Sequence, residues 1–106
     1  MTMVFQSGAA RRDLVEHFIY LAENADAEIA ERFLANAQVS FNDLAANPMI
    51  GVRLSLRPAA LAGLRKWHIK DFDNYLVFYL VRPGDVFILR VLHGAQDWWD
   101  LLEINA

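Results

Sequence analysis

The sequence contains no cysteine. That excludes a disulfide framework, a thiolate nucleophile and a thiolate metal site. Serine is scarce, and Ser7, Ser40 and Ser55 have no local histidine or aspartate partner of the kind a hydrolytic triad needs. There is no phosphate-binding P-loop, no G-x-G-x-x-G and no G-x-S-x-G, so nucleotide-cofactor and hydrolase chemistry have no support. The three histidines, His17, His68 and His93, are dispersed, and no two share the spacing of a helical metal site. No metal and no cofactor are expected. No apolar run approaches the roughly 18–20 residues that cross a bilayer, so no membrane association is expected. The first residues, MTMVFQSGAARRDL, lack an apolar signal core followed by small residues, and a cytoplasmic location is the simplest expectation.

What is present suits one domain over residues 1–106, at 12.1 kDa. A chain of this size buries roughly 65% of the surface that its unfolded form exposes. Apolar residues make up 56% and charged residues 22%, which excludes disorder. The net charge is −3. This average disfavours phosphate neutralisation, so direct DNA binding by the chain alone is not expected. The charges are unevenly spread. Residues 1–43 carry seven acids and three bases, residues 71–106 six acids and two bases, and residues 44–70 no acid at all. The middle block holds Arg53, Arg57, Arg65, Lys66 and Lys70. It reads either as a solvated edge strand with its loop or as a contact surface.

Thr2 to Gln6 can form a first strand, after which Ser7 is a candidate N-cap for a helix starting near Ala9. Leu14, Phe18, Leu21, Ala22 and Ala25 recur at helical spacing, with His17 flanking the stripe. Asp26 can cap a second helix whose stripe is Ile29, Phe33, Ala37, Phe41 and Leu44, running to about Ala46. The two make an antiparallel hairpin whose apolar stripes need a sheet to pack on. Asn47-Pro48 ends the second helix. Met49 to Gly63, with Gly51 and Pro58, reads as a long connection with short extended pieces. Leu64–Lys70, Tyr75–Val81 and Val86–Leu92 read as strands, the last two joined by the turn Arg82-Pro83-Gly84-Asp85. Asp97 can cap a short final helix from Trp98 to Glu103. The fold class is α+β: an N-terminal strand, a helical hairpin, three antiparallel strands and a short C-terminal helix.

Two clusters can carry function. His93, followed by the bend at Gly94, can act as an acid or base near neutral pH, or bond to backbone and fix the strand exit. Arg65-Lys66-Trp67-His68 interleaves cations with an aromatic ring, a pattern that stacks bases or receives an acidic helix. Trp98-Trp99 is either an interface anchor or a core closure.

Four segments in order, Ala10-x-x-Asp13-Leu14, Gly63-Leu64-Arg65-x-Trp67, Asn74-Tyr75-Leu76-Val77-Phe78-Tyr79 and Ile88-Leu89-Arg90-Val91-Leu92-His93-Gly94-Ala95, resemble ParE toxins of the RelE/ParE superfamily. The resemblance covers about residues 4–100. It implies a small antiparallel sheet on a helical hairpin, and the toxin of a type II toxin–antitoxin pair. ParE-type members poison DNA gyrase by direct binding, and RelE-type members cleave mRNA on the ribosome. A ParD-like antitoxin and an even-numbered hetero-oligomer with it are implied. One departure stands out: the family pattern His-Gly-x-Arg-Asp has Gln96 at the arginine position, and glutamine lacks the guanidinium fork. RelE-type enzymes also use a tyrosine near the C-terminus, and none follows Tyr79. The leading expectation is therefore gyrase binding without catalysis, through Arg57, Arg65, Trp67, Arg90, His93, Gln96 and Trp98. A ribonuclease would instead use His93 and His68 for proton transfer, with Arg65, Lys70 and Arg90 for phosphate charge. A third reading, motivated by Gln96, is a non-toxic copy that keeps only antitoxin binding.

Overall fold

Ser7 sets the first boundary of the chain. Its backbone is extended and its side chain accepts the Ala10 N–H at 2.9 Å, which starts a helix there. The computed structural model describes residues 2–54, 61–96 and 98–102. Within them, β1 (Val4–Gln6) leads into α1 (Gly8–Asn24) and α2 (Ala27–Ala46). Asp26 caps α2 by accepting the Ile29 N–H at 2.7 Å. Then follow β2 (Val52–Arg53), β3 (Arg65–Ile69), β4 (Phe72–Arg82), β5 (Asp85–His93) and α3 (Trp98–Leu101). The expected Asp97 cap, Ser55, Arg57, Pro58 and Glu103 lie outside the described residues, as do the side chains of Trp98 and Trp99.

The strands form one sheet in the order β1-β5-β4-β3-β2. The three expected strands, β3 to β5, are antiparallel neighbours, with the β4–β5 turn at Pro83-Gly84. Gly84 has a φ of +96°, which only glycine adopts without strain. Two features go beyond the sequence reading. The connection after α2 contributes β2 to the edge of β3, and β1 runs parallel to β5, pairing Val4 with Val86 and Gln6 with Ile88. Pairing registers also shift at Leu89, an extra residue in β5 between the pairs Phe78–Arg90 and Tyr79–Ile88.

One face of the sheet packs on the helical hairpin. Phe33, Ala37, Phe41 and Leu44 of α2, four of the five expected stripe residues, are buried there against Ile69, Val77, Tyr79, Ile88 and Val91. Ile29 is only half-buried, and Ala30 and Ser40 join the inward face. Ser40 is polar yet nearly inaccessible. It donates to the Asn36 carbonyl and accepts the Lys70 N–H at 2.9 Å, which ties α2 to the β3–β4 turn. On the second face, Leu64, Phe78 and Leu92 form a smaller cluster closed by Leu102.

The segment leaving α2 is held from inside the sheet. The Tyr79 hydroxyl donates to the Pro48 carbonyl and accepts the Gly51 N–H, both at 2.8 Å. Burial pushes this hydroxyl above its ordinary 10, although the Gly51 hydrogen bond and the nearby Arg65 pull the other way. Arg65 Nη1 donates to the carbonyls of Gly51 at 2.7 Å and Met49 at 3.2 Å. Gly51 fits because it has no side chain: a Cβ there would lie 2.5 Å from the Tyr79 hydroxyl and 2.9 Å from the Lys66 carbonyl. Gly51→Ala is expected to lower unfolding stability by about 1–3 kcal/mol through forced displacement of Tyr79. A urea melt with an unshifted midpoint would show that this loop yields freely.

Candidate functional site

β1 is short, and that shapes everything at the far end of β5. Backbone pairing along this edge ends where the Ser7 N–H bonds to the Ile88 carbonyl and the Ser7 hydroxyl donates to the Leu89 carbonyl. Beyond it, α1 lies where a strand would continue. Asp13 and His17, four residues apart and so on one helical face, meet the backbone of Val91. Asp13 Oδ2 accepts the Val91 N–H at 2.9 Å, and His17 Nε2 donates to the Val91 carbonyl at 2.7 Å. Two side chains thus supply the acceptor and donor of a missing strand neighbour.

Asp13 is 5% exposed and carries charge, so it needs a partner. Arg90 provides it through a two-pronged contact, Nε to Oδ2 at 2.7 Å and Nη2 to Oδ1 at 2.8 Å. The register places Arg90 opposite Phe78, on the sheet face away from the helices. Its third donor reaches the Leu101 carbonyl at 2.9 Å. One guanidinium therefore joins α1 to the C-terminal turn around the sheet edge. The hydrogen bonds that Arg90 donates to Asp13 raise its pKa above the ordinary value, with burial opposing them.

Beside this pair is a cleft of about 370 Å³. Tyr75 forms its floor, with His17 and His93 each edge-on to that ring at 4.9 Å between centroids. Glu16 and Tyr20 of α1 form one wall, and Ala95 and Gln96 the other. Burial lowers the pKa of His17 below its ordinary 6.5, against the raising effects of its Val91 hydrogen bond, Asp13 and Glu16. His93 Nδ1 accepts the Ala95 N–H at 3.0 Å, so the neutral ring carries its proton on Nε2. Gln96 turns back, its side-chain oxygen accepting the His93 N–H at 2.6 Å.

The sequence-selected residues do not form one centre. His93 shares the helix-side face with Tyr75, whereas His68 is paired with Leu76 and lies on the other face. There it lines a second hollow of about 300 Å³ with Lys66, Trp67 and Asp73. The His68–Asp73 contact is 3.9 Å between exposed side chains, which contributes little. Arg65 and Arg90 both donate to groups within the chain. Trp67 packs against the helix-side core and Arg57 lies outside the described residues. The sequence reading passed over Asp13, Glu16, Tyr20 and Tyr75 as site residues and set His17 beside the stripe. The four-residue spacing of Asp13 and His17 was the available signal. Among the described residues, no three His, Cys, Asp or Glu side chains are grouped to hold a metal ion.

Residues 4–98 match the family described as the ParE toxin of type II toxin–antitoxin system, parDE. The chain belongs to the ParE toxin family. Two solved structures share the fold of this ParE-family domain. One is described as the chromosomal ParDE TA system from P. aeruginosa, with a TM-score of 0.66 and 18% identity over 88% of this chain and 96% of that one. The other is a metal-bound toxin from Helicobacter pylori, with a TM-score of 0.55 and 18% identity over 88% and 94%. No curated protein matches the sequence. No described helix of the ParE-family chain is long and apolar enough to cross a membrane.

Three predictions concern the polar edge of this ParE domain. Asp13→Asn leaves the Arg90 charge without its counter-ion and is expected to cost about 3 kcal/mol in urea unfolding. Arg90→Lys is not expected to preserve stability, because an ammonium cannot make the two-pronged contact. His17 binds its proton at lower pH when folded than when unfolded. Between those two values the unfolded state holds more protons, so stability is full above about 6.5 and falls as pH drops through the window. His17→Gln keeps an N–H donor and should flatten the loss of melting temperature between about pH 7.5 and about pH 5.5. An equally steep loss in the variant would assign the effect to other groups.

Proposed function

We propose that this ParE-family domain is the toxin of a type II toxin–antitoxin pair, that it acts by binding DNA gyrase, and that a ParD-like antitoxin neutralises it in an even-numbered hetero-oligomer. The observation that carries this reading is the family match over residues 4–98. The toxin–antitoxin structure from P. aeruginosa supports an antitoxin partner, and the geometry supports action by binding rather than by cleavage.

A ribonuclease of the expected kind needs a base for the 2′-hydroxyl, an acid for the leaving oxygen, and cations on the phosphate. His68 and His93 are on opposite faces and cannot flank one phosphate. The Nδ1 lone pair of His93 is engaged by the Ala95 N–H, so the neutral ring offers a donor and no free base. Arg90 is held by Asp13 and the Leu101 carbonyl, and Arg65 by carbonyls of its own connection. These contacts favour a surface that grips a protein. The cationic stretch with Trp67, together with the strand exit at His93 and Gln96, is the proposed contact region, and Arg57 and Trp98 are assigned to it from the sequence.

Purified toxin at micromolar concentration is expected to inhibit gyrase-catalysed DNA supercoiling, and added ParD-like antitoxin to restore it. Undisturbed supercoiling would reject the gyrase assignment. Transcript cuts mapped by primer extension after induction, and abolished by His93→Ala, would replace it with the nuclease reading.

A further inference from the structure

Apart from His93 and Gln96, already assigned to the proposed gyrase contact, the cleft at the end of β5 is lined by residues that this contact leaves unused. At about 370 Å³ it lies near the lower limit of ligand pockets and has room for one compact group. Its lining is aromatic: Tyr75 with two imidazoles packed steeply against its ring, and Tyr20 with 60% of its surface exposed. The carboxylate in this lining belongs to Glu16, one turn before Tyr20 on the same face of α1. Among the described residues Glu16 makes no ion pair.

The surrounding charges favour one sign of ligand. Asp13 and Arg90 neutralise each other, which leaves Glu16 as a net negative charge beside them. Arg12, one turn back on the same face of α1, borders an adjoining hollow with Glu16. Burial opposes a positive charge on His17. An acidic group against several aromatic rings attracts a compact organic cation, since the carboxylate supplies charge and the rings their negative faces.

We propose that this cleft binds the head of an alkylguanidinium or alkylammonium group, with Glu16 as its counter-ion and Tyr20 and Tyr75 as its aromatic walls. The ligand is either a free small molecule or an arginine or lysine side chain on a partner. A cation there would contact the Tyr75 ring beside the two imidazoles.

The test is a nuclear magnetic resonance titration of the full chain with arginine amide, and separately with a glycine–serine peptide carrying one internal arginine. Saturable shifts at Tyr20, Tyr75 and His93 are expected. Glu16→Gln should weaken the affinity about tenfold. Glu16 and Tyr20 are exposed, so Glu16→Gln and Tyr20→Ala should melt near the parent temperature, and both should bind less. Binding of arginine amide supports a small-molecule ligand, and binding of the peptide alone supports a partner's side chain. No saturable shift with either probe, equal shifts with glutamate amide or a mononucleotide, or full affinity in Glu16→Gln would overturn the proposal.

Discussion

A sheet edge must have its backbone N–H and C=O groups met by something, and at Val91 that something is a helix. Asp13 accepts and His17 donates, at 2.9 and 2.7 Å. This constraint fixes the position of α1 along β5 more tightly than apolar packing could, because hydrogen bonds are directional and packing is not. It also buries a carboxylate, which obliges Arg90 to approach. Arg90 in turn holds the Leu101 carbonyl. The C-terminal turn, the first helix and the last strand are therefore positioned by one connected set of polar contacts, with Tyr75 and the two imidazoles packed beside it.

The helical hairpin was readable from the chain because its cues are local. Ser7 and Asp26 are caps, Phe33 to Leu44 recur at helical spacing, and Pro83-Gly84 turns a hairpin. The candidate site was less readable, for a physical reason. Asp13 and His17 are polar residues on a helix, and seen alone they belong in water. Their partners lie more than 70 residues away, and only the folded chain shows that the inward face needed a charge and a donor. Arg90 misleads in the same way, since a cation late in an acidic chain looks available to a target. The parallel pairing of β1 and the two-residue β2 are equally non-local, as neither has enough sequence to show a period of its own.

Membership of the ParE family and this geometry bear on different questions. The family tells which biological system the fold serves, and the contacts tell which side chains remain for partners. Arginines at Arg65 and Arg90 hold loop and helix in place, and the histidines divide between two faces of the sheet. What faces outward at the strand exit is aromatic and acidic, whereas the hollow near β2 presents Lys66 beside Trp67 and His68.

The extra residue at Leu89 splits β5 into two phases. Before it, Val86 and Ile88 point to the helices; after it, Val91 and His93 do. Even positions serve the inner side in one half of the strand and odd positions in the other. An alignment of related chains that kept strict alternation through this strand would assign half its positions to the wrong side. Any insertion or deletion tolerated near Leu89 must therefore conserve the parity of this frame, or the histidine and the arginine beyond it would exchange sides.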